Sequence, residues 1–248
     1  MRVTGLSVSD LHNNAVYIPS SSRELPLPKP VEIRAVAATA MPVDRHFPVQ
    51  AIMKRMIDIG VSLTALIVLS PVLLLVALLI RLDSAGPALF TQVRWGKDCG
   101  KIRVYKFRSM RTDLGDATGV AQTVQNDPRI TRIGAIIRKT NIDELPQLLN
   151  VLKGDMSLVG PRCHAIGMLA AGIPYEDLVP NYHRRHSVKP GMTGLAQMRG
   201  LRGPTDRPGR ARARIACDLY YIDNFSVLLD LRIMFGTVLA ELRGGKGF

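Results

Sequence analysis

The chain has 248 residues, 47% of them hydrophobic, and its 33 lysines and arginines outnumber 20 acidic residues to leave a net charge of +13. That length suits one principal domain with a sizeable core plus a tail, and the charge points to polyanionic partners: nucleic acid, an anionic membrane surface or phosphorylated substrates. The three cysteines, Cys99, Cys163 and Cys217, are scattered and outside any C-x-x-C spacing, which suggests neither a disulfide framework nor a zinc site and fits reduced thiols in a cytoplasmic compartment.

No basic stretch followed by an apolar core opens the chain, so no secretory signal is expected. Ser20 to Pro30 reads SSSRELPLPKP. Serine and proline at that density cannot bury enough apolar surface to offset ordering entropy, and residues 1–50 are expected to form a flexible tail ahead of a domain over 51–248.

From Ile59 to Ile80 the chain runs IGVSLTALIVLSPVLLLVALLI without a charged side chain, about the twenty residues needed to cross a bilayer core. A spanning anchor is the ordinary reading. Two features argue against it. Ser70 and Pro71 sit near the centre, where proline removes a donor and its ring collides with the carbonyl of Ile67, so a sharp bend is expected there. The Ser70 hydroxyl, bonding back one turn, is a local candidate to satisfy a freed carbonyl. Positive charge also flanks both ends, with Lys54 and Arg55 before the segment and Arg81, Arg94 and Lys97 after it, whereas a spanning helix shows a one-sided excess. The expectation is a re-entrant helix over 57–82 that leaves both ends on the cytoplasmic side.

Phe90 to Met110 reads as two strands around a polar, glycine-containing turn, ending in the cations Lys106, Arg108 and Arg111, which suit either a solvated edge or a phosphate clamp. Asp127 to Lys139 reads as a helix with Ile130, Ile133 and Ile137 on one face. A second helix follows, with Leu145, Leu148, Leu149 and Leu152 at i, i+3, i+4 and i+7 and Gly154 as its stop. Pro146 is tolerable only in a first turn, so this helix must begin near Asp143 and Glu144. Two readings of that pair stay open. They are helix caps, or ionised carboxylates able to attack phosphorus or bind Mg²⁺ where phosphate is also welcome. Arg138, five residues before Asp143, could neutralise the phosphate under attack.

Met156 to Val159 reads as a short strand ending in the loop Gly160, Pro161, Arg162. His183 and His186, with two arginines between them, read as a solvated basic face rather than a metal pair. Pro190, Gly191 and Gly194 mark a tight turn carrying Thr193 and Gln197. Ser226 to Arg243 reads as an apolar-faced helix that rests on a membrane interface or packs in the core.

The ordered blocks KRMIDIG, Ser70-Pro71, YKFRSMRTD, NDPRITRIGAIIRKTNIDELPQLLNVLKGDMSLVGPR, KPGMTGLAQ and DLYYIDNFSVLLDLRIMFGT together resemble the bacterial sugar transferases, the monotopic phosphoglycosyl transferases that start exopolysaccharide and glycan assembly on polyprenol phosphate. The resemblance runs from about Lys54 to the carboxyl terminus. It implies an α+β fold, in which a re-entrant membrane helix precedes a small mixed α/β cytoplasmic domain with interfacial helices. It places the catalytic pair on Asp143 and Glu144, with Asp143 also at the metal. Phosphate and nucleotide-sugar binding falls on Lys106, Arg108, Arg138, Pro161 and Arg162, and the helix break on Ser70 and Pro71. The family's P-R-P loop departs here at its third position, Cys163.

The implied reaction moves a sugar 1-phosphate from a UDP-sugar, UDP-glucose or UDP-galactose, to undecaprenyl (polyprenyl) phosphate, with UMP leaving, an aspartyl intermediate and Mg²⁺ as cofactor. The implied location is the cytoplasmic face of the bacterial inner membrane, without a nucleic-acid partner, and homo-oligomerisation is left open. Two other classes are a membrane-anchored nucleic-acid-binding module, motivated by charge but short of aromatics at 5%, and a noncatalytic membrane scaffold.

Overall fold

A computed structural model of the chain describes residues 47–114, 123 and 127–242. The expected tail lies outside the described residues up to position 46, and residues 47–50 already belong to the first helix. That helix, α1 (Phe47–Asp83), starts ten residues before the expected 57. Hydropathy misses its first turns because they carry charge, and that charge is consumed by packing. Lys54 Nζ reaches Asp230 at 2.6 Å and the Val159 carbonyl at 2.9 Å. Arg55 donates to the carbonyls of Val151 and Leu152 at 2.6 and 2.7 Å. Asp58, buried, accepts from Ser157 Oγ and the Leu158 amide at 3.1 and 2.9 Å.

α1 continues through Pro71. The Ser70 hydroxyl donates to the Ile67 carbonyl at 2.8 Å, the acceptor that an amide at position 71 would otherwise have served. The carboxyl-terminal half of α1 packs back on the same domain. Val76 and Ile80 form a core cluster with Phe107 and Ile137, and Asp83 accepts from the Ile133 amide at 3.1 Å. Between these anchorages Ile67, Val68, Val72, Leu74 and Leu75 are exposed.

After α1 come the antiparallel strands β1 (Leu89–Trp95) and β2 (Lys101–Phe107), paired from Leu89 with Phe107 to Trp95 with Lys101. The helix expected from Asp127 begins later, as α2 (Arg132–Lys139). Thr131 caps it by accepting from the Gly134 amide at 2.9 Å, while Asp127 is taken by Arg129. A cap ahead of the apolar pattern sets the start, as capping chemistry requires. A 3-10 turn (Ile142–Glu144) leads into α3 (Gln147–Lys153), which stops at Gly154 in the left-handed conformation (φ 91°), its amide bonded to the carbonyls of Asn150 and Val151.

The strand β3 (Ser157–Val159) is followed by the short pair β4 (Leu169–Ala170) and β5 (Ile173–Pro174), then α4 (Tyr175–Leu178), β6 (Gly191–Thr193), α5 (Leu195–Met198), α6 (Pro208–Asp223) and α7 (Val227–Leu242). β3 and β6 pair in parallel, Ser157 with Gly191 and Val159 with Thr193. The main core gathers Val104, Leu148, Val151, Met156, Val159, Tyr221 and Ile233, each such side chain contributing on the order of 1.5–3 kcal/mol by leaving water. The last helix packs in the core through Ile233, which is fully buried, while Leu228, Leu231, Phe235 and Val238 are exposed.

Candidate active site

The site is assembled where three backbone segments are pinned together. Gly160 and Gly191 approach so closely that a Cβ on either would collide with backbone of the other segment, and one on Gly194 would strike the Gly160 carbonyl. The Gly160 amide donates to Thr193 and the Gly191 amide to Pro161, both at 2.9 Å. Pro161 thus acts through its carbonyl, fixing the loop that carries Arg162. On the other side Asn150, fully buried, accepts from the Tyr105 amide at 2.9 Å and donates to the Arg103 carbonyl at 2.7 Å, which ties β2 to α3.

These ties bring Lys106 and Arg162 to one carboxylate. Lys106 Nζ lies 2.7 Å from Glu144 Oε1, and Arg162 grips both oxygens of Glu144, with Nη1 to Oε2 at 2.9 Å and Nη2 to Oε1. Burial opposes ionisation of Glu144, but Arg162 and Lys106 outweigh it and hold the carboxyl well below the usual carboxylate range. Glu144 in turn raises the pKa of Arg162.

Asp143 behaves oppositely. It is 8% exposed, and among the described residues its carboxylate has no hydrogen-bond or ion-pair partner. Burial pushes its pKa up, Lys106, Arg138 and Arg162 pull it down, and the adjacent Glu144 adds to the rise. Neither carboxylate caps a helix: Glu144 is spent on two cations, and neither the 3-10 turn nor α3 has a side-chain cap. The tight 3-10 backbone, entered through left-handed Asn141 (φ 55°), sends the two neighbouring side chains to different environments.

Arg138 sits on the last turn of α2 and donates to Ser109 Oγ at 3.4 Å and Thr123 Oγ1 at 2.8 Å. Arg108 does not join this group. Expected at the phosphate, it is buried and donates to the carbonyls of Ile80, Ser84 and Ala85, closing the end of α1 where carbonyls lack intrahelical donors. Arg108 lies one residue past the end of β2 at Phe107, so the alternation that directs Lys106 does not extend to it. Ser70 and Pro71 lie in the exposed middle of α1. Sequence reasoning missed Asn150, for which a buried polar residue within a leucine pattern was the available signal.

The bacterial sugar transferase family matches residues 49–244. The chain belongs to that family. Among its relatives, the exopolysaccharide production protein PSS of Rhizobium leguminosarum bv. phaseoli is 73% identical over 197 residues, covering 79% of this chain and 98% of that protein. The UDP-glucose:undecaprenyl-phosphate glucose-1-phosphate transferase of Escherichia coli (strain K12) is 46% identical over 200 residues, 81% of this chain but 41% of that protein. The UDP-N-acetylgalactosamine-undecaprenyl-phosphate N-acetylgalactosaminephosphotransferase of Aeromonas hydrophila is 42% identical over 197 residues, 79% of this chain and 45% of that protein. The chain therefore spans nearly all of the first and about two-fifths of the second. The residues that the structure brings together are Lys106, Arg138, Asp143, Glu144 and Arg162.

Asp143 and its surroundings fit Mg²⁺. A hard divalent ion takes oxygen ligands, is commonly held by one or two carboxylates plus substrate phosphates, and would relieve the burial of an unpaired carboxylate. Glu144 is less available, because two cations already occupy its oxygens.

Proposed function

We propose that this chain transfers a sugar 1-phosphate from a UDP-sugar to undecaprenyl or another polyprenyl phosphate, with Asp143 as nucleophile. An Asp143 oxygen attacks the phosphorus bonded to the sugar. A P–O bond forms, the bond to the bridging oxygen breaks, and UMP leaves with that oxygen. The lipid phosphate then attacks the same phosphorus, breaking its bond to Asp143. The products are a lipid-linked sugar diphosphate and the free carboxylate. One buried carboxylate with no partner among the described residues, beside an ionised neighbour clamped by Arg162 and Lys106, carries this reading. It is the arrangement in which one acid is positioned and the other is left to react. Arg138 and Lys106 supply positive charge against the repulsion between carboxylate and phosphate. Bound Mg²⁺, held by Asp143, would neutralise diphosphate charge and orient it.

UDP-glucose is favoured over UDP-galactose as donor by the name of the Escherichia coli relative. The location we propose is the cytoplasmic face of the inner membrane. Pro48–Asp83 is long and apolar enough to cross a bilayer, yet Asp58 near one end and Ile80 near the other are both held by one domain. A helix that crossed would place its ends on opposite sides, so the contacts support a re-entrant course bringing the active site to headgroup height. The test is to incubate the protein with radiolabelled UDP-glucose, Mg²⁺ and no lipid. Labelled sugar phosphate should stay on the protein with matching UMP release, and Asp143→Asn should retain none. UMP release only when lipid is added, with no adduct trapped, would replace this mechanism by direct transfer.

A further inference from the structure

We propose that Cys99, His183 and His186 form a binding site for a divalent transition metal ion of the zinc class, joining the β1–β2 hairpin tip to the turn at residues 182–187. The sequence reads the histidines as a solvated basic face because Arg184 and Arg185 lie between them. The fold separates the two pairs. Tyr182–Ser187 is a 3-10 helix, with three residues per turn, so side chains at i and i+3 share a face. The imidazoles of His183 and His186 therefore lie together, ring centroids 5.6 Å apart. The arginines point to carboxylates instead, Arg184 to Asp223 and Arg185 to Asp218.

The third ligand comes from 84 residues away. Cys99 closes the hairpin in a left-handed conformation (φ 57°), and its Sγ lies 3.8 Å from His183 Nδ1 and 3.5 Å from His186 Nδ1. The candidate ligand atoms all lie within 4.8 Å of one another. Zinc at about 2.3 Å from sulfur and about 2.0–2.1 Å from nitrogen, in tetrahedral geometry, requires sulfur and nitrogen to be roughly 3.5 Å apart. His186 already meets that spacing, and His183, which is exposed, needs only a small inward adjustment.

The chemistry of the pocket agrees. His186 is 5% exposed, its Nε2 is buried without a partner, and its polar contact among the described residues is the Cys99 thiol. Trp95 and Tyr182 flank both imidazoles, with centroids 5.2 to 6.5 Å away, and restrict their rings. Metal binding exchanges the thiol proton for the metal and leaves a fourth position for water or another ligand. The cluster shares no residue with the Asp143 site.

The test uses full-length, tag-free protein in nanodiscs, stripped with a chelator and titrated with Co²⁺. One equivalent should produce a thiolate-to-cobalt charge-transfer band, and Zn²⁺ should displace it. Trp95 is the single tryptophan, so its emission should be quenched in parallel. Cys99→Ser should abolish the band. His183→Gln, at an exposed position, should weaken binding at least about tenfold, since loss of even an outer partner of a metal ligand commonly costs 10–100-fold. Lys97→Ala should leave the titration unchanged. No band, a band that survives Cys99→Ser, or displacement by Mg²⁺ rather than Zn²⁺ would each overturn the site.

Discussion

Arg162 closes on Glu144 with both terminal guanidinium nitrogens, one per carboxylate oxygen, and so fixes the ionisation and the orientation of the residue next to the proposed nucleophile. Removing that grip should move a pH profile in a defined direction. Burial alone disfavours the charged form of Glu144, and Arg162 is the first of the groups that reverse this. In Arg162→Met the Glu144 pKa should rise, so the acid limb of UMP release against pH shifts to higher pH and turnover falls about 10²-fold or more. Arg162→Lys restores a charge without the planar fork and should lie between. An unmoved acid limb with normal turnover would show that ionised Glu144 is not required.

Asp143→Asn should gain thermal stability while losing activity. Its folded pKa is raised, so the native state favours the protonated acid. The ionised form costs stability above the unfolded pKa, and that cost is largest at neutral pH. Asparagine removes it. Unfolding followed in nanodiscs at pH 7 should give a higher Tm for the variant than for the unmodified chain. At a pH well below the unfolded Asp pKa the difference should vanish. A lower Tm at neutral pH would mean the carboxylate has a stabilising partner.

Ser70 and Pro71 should behave as a coupled pair. Ser70→Ala leaves the Ile67 carbonyl without its 2.8 Å donor, a loss of about 0.5–1.5 kcal/mol. Pro71→Ala supplies a new amide to that same carbonyl, so Ser70→Ala should cost almost nothing in the Pro71→Ala background. A double-mutant cycle on detergent-induced unfolding measures this, and additive costs would reject it. Cysteine labelling at both flanks should report one side of the membrane for the unmodified chain.

Lys54→Met should destabilise by roughly 3–5 kcal/mol, because it strands the buried Asp230 carboxylate. Tyr221, which donates to Asp230 at 2.7 Å, is then its remaining partner among the described residues. Burial already pushes the Asp230 pKa up, with Lys54 opposing. Lys54→Met combined with Asp230→Asn should recover most of the loss. Equal instability of the single and double variants would show that packing, not charge, holds this end of α1.

Arg108→Met should separate structure from substrate binding. Its guanidinium serves carbonyls at the end of α1, so Tm should fall while the KM for UDP-sugar in the folded fraction stays within about twofold. Arg138→Met should do the reverse, raising KM or lowering kcat with little change in Tm. A KM effect confined to Arg108 would restore it to the phosphate site.

Much of this protein follows from local rules that need no knowledge of the fold. The apolar run through Pro71, the stop at Gly154, the hairpin and the requirement that a helix begin near Asp143 are all set by hydropathy, missing donors and left-handed glycine. They could be read because they involve residues within a few positions of one another. What only the tertiary structure decided are pairings across long chain separations. Lys54 and Arg55 look like membrane-flanking charge but meet Asp230 and the end of α3. Arg108 looks like Lys106's companion at phosphate but closes α1. Asp143 and Glu144 are chemically similar neighbours at one turn, and their difference arises because Lys106 from β2 and Arg162 from the loop after β3 both reach the second carboxylate and leave the first without a partner among the described residues. A charge in sequence has a sign but no assigned counter-charge; burial and distance supply that assignment, and with it the division between anchoring and chemistry.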